Sequence, residues 1–305
     1  MSHLKAGTLV RWLGLGLMLG VLATWAFADL DLQVTLNALQ SADTLKIFVY
    51  VPLLILAVWL LRAVRWALVL RAAGARMNPL SIYLSTTTSL GLAAVTPAQS
   101  GELLKIKHAA NASQIGLLGG FGGFAAERFY DVLILLVLTI LATMFAAKPG
   151  SFTVFGVVGV GSVIAAALML NLIPTDRLPT SVIGLLEGFR SSTRRPVVAI
   201  ELTALTIACW FVSALLWQVT MSAVGVDVPF AAAMAIVGIA TFAGVASTIP
   251  GGLGVSEVTV SGLLIVLGFG PEQALSAALI LRFISLWIVV LGLVHWGVLR
   301  SRLNA

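Results

Sequence analysis

Thr96-Pro97-Ala98-Gln99-Ser100-Gly101-Glu102 and Ile249-Pro250-Gly251-Gly252-Leu253-Gly254-Val255-Ser256-Glu257 are the two stretches that decide how this chain folds. Each interrupts an apolar run with proline and glycine and then supplies a glutamate. Proline removes a backbone donor and clashes with the preceding helical turn. In lipid, a broken helix survives only where protein or a water-filled cavity satisfies the freed backbone groups. Two such breaks at corresponding places in the two halves of a membrane chain point to a transporter's binding site.

The rest of the composition belongs in lipid. Of 305 residues, 60% are hydrophobic and 10% charged, and the mean hydropathy is +1.07. Soluble domains carry roughly 25% charged residues, which excludes a soluble core of this size. The net charge of +6 is not a nucleic-acid footprint, because the basic residues gather at the ends of apolar runs. The single cysteine, Cys209, lies inside such a run and reads as a small buried hydrophobe.

Apolar runs fall at 8–28, 46–70, 79–96, 103–126, 129–147, 151–173, 197–224, 230–249, 257–269 and 273–299. Around the first, Lys5 and Arg11, the apolar stretch Leu13 to Trp25 and Ala26-Phe27-Ala28 before Asp29 imitate a signal peptide with its cleavage site. The run is nearly long enough to span, and an uncleaved first helix is expected. Arg62, Arg65, Arg71 and Arg76 crowd the end of the second run. Arg177, Arg190, Arg194 and Arg195 fill the polar connection 174–196, and Arg300 and Arg302 follow the last run. The positive-inside rule places all of these, and both termini, in the cytoplasm.

That orientation constrains the count. Between Arg76 and Arg177 an even number of crossings is required, and 129–147 and 151–173 both read as spans. The pieces 79–96 and 103–126 therefore cancel, either as two full spans or as a hairpin turning at Pro97 to Gly101. By the same parity 230–249 and 257–269 cancel, turning at Pro250 to Gly254. The second of these is too short to cross, which favours hairpins. The expected fold is an all-α, polytopic membrane protein with about six full spans and two re-entrant broken-helix hairpins.

The halves also match each other. A Trp-bearing span (Trp66; Trp217) leads to a Gly-then-Pro connection (Gly74 to Pro79; Gly225 to Pro229), an apolar piece and a break with its glutamate. An arginine inside the next span closes each series: Arg128 follows Pro97 by 31 residues and Arg282 follows Pro250 by 32. The first unit enters from outside and the second from inside, an inverted repeat of about 46–147 and 197–299 joined through 151–196.

An ionised side chain at membrane depth is a functional hypothesis by default. Glu102, Lys105, Lys107, His108, Glu127, Arg128, Asp131, Glu257 and Arg282 qualify. The expected substrate site comprises Pro97, Gly101, Glu102, Lys105, Glu127, Arg128, Asp131, Pro250, Gly251, Gly252, Gly254, Glu257 and Arg282. Half-helices starting after Gly101 and Gly254 would aim free N–H groups at an anionic headgroup, and arginine adds bidentate contacts. Other readings stay open. The charges could be ion pairs that fix the fold, the glutamates could cap helix N-termini, and Lys105, Lys107 and His108 could snorkel to the interface. No H-E-x-x-H, G-x-S-x-G or P-loop motif occurs, and His3, His108 and His295 are scattered, so no metal or other cofactor is expected. The string Gly119-Gly120-Phe121-Gly122-Gly123 reads as a close helix contact.

Arg65-Trp66 with Gly74, Pro97 with Gly101-Glu102, Glu127-Arg128-Phe129-Tyr130-Asp131, Pro250 to Glu257, and Leu281-Arg282 together resemble the lysylphosphatidylglycerol synthetase transmembrane (flippase-like) family over roughly 46–299. The resemblance implies a prokaryotic cytoplasmic-membrane domain that moves lipids between leaflets, such as aminoacylated phospholipids or polyprenyl-linked glycolipids. In bifunctional members a soluble aminoacyltransferase domain follows. Here the chain stops at Ala305, so lipid aminoacylation by this chain is not expected. The partners expected are a membrane lipid or lipid-linked glycan, a coupling proton or ion and a lipid-modifying enzyme, and no nucleic acid. Glu102, Glu127, Asp131 and Glu257 are the groups that could carry the proton. An enzyme acting on a lipid headgroup and a non-transporting partner of a glycosyltransferase remain the alternatives.

Overall fold

A computed structural model describes residues 32–113, 115–146, 151–174 and 178–303. The first apolar run, with its signal-peptide resemblance, lies outside the described residues, as does Arg177. Among the described residues every regular element is a helix. Helix α1 (Leu32–Gln40) precedes a five-residue π-turn, Lys46–Tyr50, that runs straight into α2 (Val51–Ala72). Then follow α3 (Pro79–Ala93), a 3-10 turn (Pro97–Glu102), α4 (Leu103–Ala112), α5 (Gly116–Ala146) and α6 (Ser151–Leu172). Helices α7 (Thr180–Thr193), α8 (Pro196–Ser222) and α9 (Phe230–Ala246) lead to a second 3-10 turn (Pro250–Gly252), and α10 (Val255–Val266) and α11 (Pro271–Leu303) complete the series.

Among the described residues three stretches, Lys46–Ala72, Pro196–Ser222 and Pro271–Arg302, are long and apolar enough to cross a membrane. Helix α5, with 31 residues, reaches about 46 Å at 1.5 Å per residue. By contrast α4 has 10 residues and α10 has 12, about 15 and 18 Å, well short of a ~30 Å hydrocarbon core. The protein is an all-α polytopic membrane protein whose short helices flank the two breaks.

Matched local chemistry builds the two halves. Helix α2 ends at Gly74 with φ +88°, a left-handed conformation that glycine adopts without steric penalty. There Ala75 N donates to Leu70 O at 2.9 Å, which closes a Schellman cap. Helix α8 ends the same way, at Gly225 (φ +77°) with Val226 N donating to Met221 O at 3.1 Å. A proline follows each: Pro79 opens α3 under an Asn78 cap, and Pro229 precedes α9. Contacts between the halves are reciprocal. Helices α2 and α8 pack on each other, while α3 packs on α11 and its counterpart α9 packs on α5. Each short helix, α4 or α10, lies between the helix before its break and the long helix after it.

Two expectations about segment limits change. The run 103–126 is not one piece. Ser113 turns extended (φ −141°, ψ 171°) and Gly116 takes φ +64°, so α4 stops early and 116–126 joins 129–146 in one helix. The connection 174–196 is not simply a polar loop, since it contains α7, which packs along α5. That contact is made by the glycine string: a Cβ on Gly122 would meet the backbone of Gly188 at 2.9 Å. Arg190 is buried rather than free at an interface, and its Nη2 donates to Leu170 O at 2.8 Å, capping the end of α6. Cys209 is buried in α8, as its apolar surroundings suggest.

Candidate functional site at the junction of the two breaks

The two 3-10 turns touch. Pro97–Glu102 leans on the end of α3, where a Cβ on Gly101 would lie 2.5 Å from Ala93 N. Pro250–Gly252 leans on the same helix end from the other half: a Cβ on Gly251 would lie 2.7 Å from Ala94 O. The backbone departs from helical geometry on both sides. Gln99 and Thr248 take φ +57° and +55°, and Gly251, Gly252 and Gly254 take +60°, +63° and +80°. Left-handed conformations of non-glycine residues are uncommon and cost on the order of 1–3 kcal/mol, so surrounding packing must hold them.

Beside the first turn lies a cluster of seven charged side chains drawn from four elements: Arg62 and Arg65 of α2, Glu102 of the turn, Lys105 of α4, and Glu127, Arg128 and Asp131 of α5. Arg65 forks across Asp131, with Nη1 to Oδ1 at 2.5 Å and Nη2 to Oδ2 at 3.0 Å. Its Nε reaches Glu127 Oε1 at 3.3 Å, and Nη1 also lies 3.2 Å from Thr206 Oγ1 of α8. Lys105 joins Glu127 Oε2 at 2.5 Å to Glu102 Oε2 at 3.3 Å, with its Nζ 4.8 Å from the Trp66 ring centroid. Arg128 spans Glu102 Oε2 at 3.2 Å and Asp131 Oδ2 at 2.8 Å. Each buried carboxylate therefore meets at least two cations, the condition under which burying charge is tolerable.

The second half carries a reduced version of this arrangement. Arg282 Nε lies 3.4 Å from Glu257 Oε1, and Nη1 donates to Gly251 O at 2.7 Å. Ser256 Oγ donates to Glu257 Oε2 at 3.0 Å. In both halves the glutamate following the break thus pairs with the arginine on the next long helix.

The structure brings Glu102, Lys105, Glu127, Arg128 and Asp131 into one cluster and Glu257, Arg282, Gly251 and Gly252 into the second. Pro97 and Pro250 begin the two turns, Gly101 backs onto α3, and Gly254 precedes α10. Three readings from sequence are corrected. Arg65, read as a cytoplasmic flank, is 1% exposed at the centre of the cluster. Five apolar residues, Trp66 to Leu70, follow it in α2, and that signal of depth was there to be read. Lys105 does not snorkel, although Lys107 is exposed and His108 shares a 2.8 Å hydrogen bond with Ser81 Oγ. The glutamates do not cap by side-chain hydrogen bonds; ion pairs occupy them instead. Arg62, at 3.7 Å from Glu102 Oε1, is a second member that sequence reasoning left at the interface.

Comparison with known proteins agrees with this architecture. The family described as the lysylphosphatidylglycerol synthase TM region matches residues 11–292. A UPF0104 membrane protein of Methanothermobacter thermautotrophicus is 25% identical over 286 residues, covering 83% of each chain. A UPF0104 membrane protein of Pyrococcus horikoshii is 22% identical over 308 residues, covering 89% of this chain and 90% of its own. No solved structure gives a significant match. With nearly the whole chain matched, this protein belongs to the lysylphosphatidylglycerol synthase transmembrane-region family, a membrane-protein family linked to lipid handling.

Proposed function

We propose that the protein moves an anionic or zwitterionic phospholipid, or a polyprenyl-linked glycolipid, between the leaflets of the cytoplasmic membrane. The observation that carries this reading is the meeting of two broken helices, one from each half, beside a buried charge cluster. Discontinuous helices at a repeat interface are where transporters place their substrate sites. The thirteen residues named from the sequence form the proposed site, and Arg62 and Arg65 are added to it. In this reading 46–147 and 197–299 are inverted units rocking about 151–196, with both termini cytoplasmic. The lipid or lipid-linked glycan is the partner, joined by a coupling ion or a lipid-modifying enzyme.

The mutual pairing of the charges favours one competing reading, a non-transporting membrane partner whose ion pairs only hold the fold. Reconstitution separates them. Purified protein in liposomes containing tail-labelled phosphatidylglycerol should make inner-leaflet label accessible to an impermeant quencher, with the lipid unchanged by mass spectrometry. Unchanged accessibility with a folded protein would refute transport, and a covalently altered headgroup would establish enzymatic turnover.

A further inference from the structure

The charges in the first cluster do not balance. Four cations (Arg62, Arg65, Lys105, Arg128) face three carboxylates (Glu102, Glu127, Asp131). Arg65 and Lys105 are sealed and hold the elements together. Arg62 and Arg128 differ, because their side chains are 18% and 31% exposed. Both turn toward one carboxylate: Arg62 Nη1 lies 3.7 Å from Glu102 Oε1 and Arg128 Nη2 lies 3.2 Å from Oε2. Two donors at this place lack partners, Arg128 Nε and the indole Nε1 of Trp210, whose ring lies 6.0 Å from the Arg62 guanidinium carbon. Buried donors without partners are rare and call for an explanation.

We propose that Arg62 and Arg128 form a seat for a phosphate monoanion or dianion, and that Glu102 is its resident counter-anion, displaced when phosphate binds. A lipid phosphodiester carries the same single negative charge as Glu102 and can turn its two anionic oxygens to the two guanidiniums. It also brings more acceptor oxygens to the unpartnered donors. Glu102 is the carboxylate able to leave. It sits at the end of the 3-10 turn, which contains the left-handed Gln99, whereas Glu127 and Asp131 are fixed within the 31-residue α5. Its departure strands nothing that phosphate does not replace. Lys105 keeps Glu127 at 2.5 Å and Arg128 keeps Asp131 at 2.8 Å. Displacement would move the first broken turn, which touches the second, so loading the seat is felt in both halves. The proposal rests on the transport reading only for the source of the phosphate, a lipid headgroup rather than the free ion.

The test is calorimetric titration of the full chain in detergent with dihexanoyl phosphatidylglycerol, inorganic phosphate and dihexanoylglycerol. Removing the competing charge in Glu102→Gln should tighten phosphatidylglycerol binding about tenfold, and Arg62→Gln should weaken it about tenfold. Dihexanoylglycerol, which lacks phosphate, should gain nothing. Unchanged or weaker phosphatidylglycerol and phosphate binding by a folded Glu102→Gln protein overturns the seat. Should that variant fail to fold, Glu102→Asp decides: its shortened side chain should tighten binding about threefold, and unchanged affinity overturns the proposal. Tightened inorganic phosphate without tightened phosphatidylglycerol upholds the seat and refutes the lipid reading. Lipid scrambling that persists while Glu102 has no effect on either ligand refutes the seat and leaves transport standing.

Discussion

Replacing Arg65 by methionine removes the hub of the charge cluster while keeping an unbranched apolar stem. The geometry sets the cost. Asp131 loses both arms of a fork at 2.5 and 3.0 Å, Glu127 loses a contact at 3.3 Å, and Thr206 loses a donor. Neither carboxylate is fully orphaned, because Arg128 remains 2.8 Å from Asp131 and Lys105 2.5 Å from Glu127. Breaking a buried pair from one side costs about 3–5 kcal/mol, since uncompensated charge remains. At about 2 °C per kcal/mol, the unfolding midpoint in detergent should fall by about 6–10 °C. Removing the main partner as well, in Arg65→Met with Asp131→Leu, should recover most of that loss, because apolar replacement of a whole buried pair is often neutral. The cycle should then show a coupling of at least about 3 kcal/mol. A single variant as stable as the parent, or a double variant whose losses simply add, would refute the hub role drawn from these distances.

Gly251→Ala should cost about 1–3 kcal/mol and depress lipid scrambling while far-UV helicity persists, because a Cβ at φ +60° would also press on Ala94 O at 2.7 Å. Arg282→Glu and Glu257→Arg should each lower thermal stability by about 1–2 kcal/mol for this partly exposed pair. The double swap should regain part of it, and equal loss in all three would deny that the pair forms. For topology, a cysteine replacing Leu185, a partly exposed position on α7, in a Cys209→Ser background should react with an impermeant reagent only in inside-out vesicles; labelling from outside intact cells would reverse the proposed orientation.

What could be read from sequence was the punctuation. Proline and glycine announce the breaks at 97–101 and 250–254, and Gly74 and Gly225 with their following prolines mark two helix ends that the structure caps alike. Charge depth was harder to read. Arg62 and Arg65 stand near other arginines, and counting basic residues assigns all of them to the surface, although Trp66 to Leu70 continue the apolar run past them. The end of α4 was hidden for a different reason. Apolar helices in lipid have no polar face, so periodicity cannot mark where one stops inside a long apolar run. Only Ser113 and Gly116 carry that boundary. The network of Arg65 with Asp131 and Thr206 joins positions 66 and 141 residues apart, a juxtaposition that spacing along the chain cannot supply.

The glycine clasp between α5 and α7 makes a surface helix answer to the interior. At Gly122 and Gly188 the two backbones are too close to slide without collision, and α5 carries Glu127, Arg128 and Asp131 beginning five residues further on. A tilt of α5 that rearranges those groups must carry α7 with it as a rigid arm, and Arg190 links that arm to the end of α6. If α5 tilts, a spin label on α7 becomes a pointer: its distance to a label elsewhere in the protein would report that movement without touching any residue of the cluster.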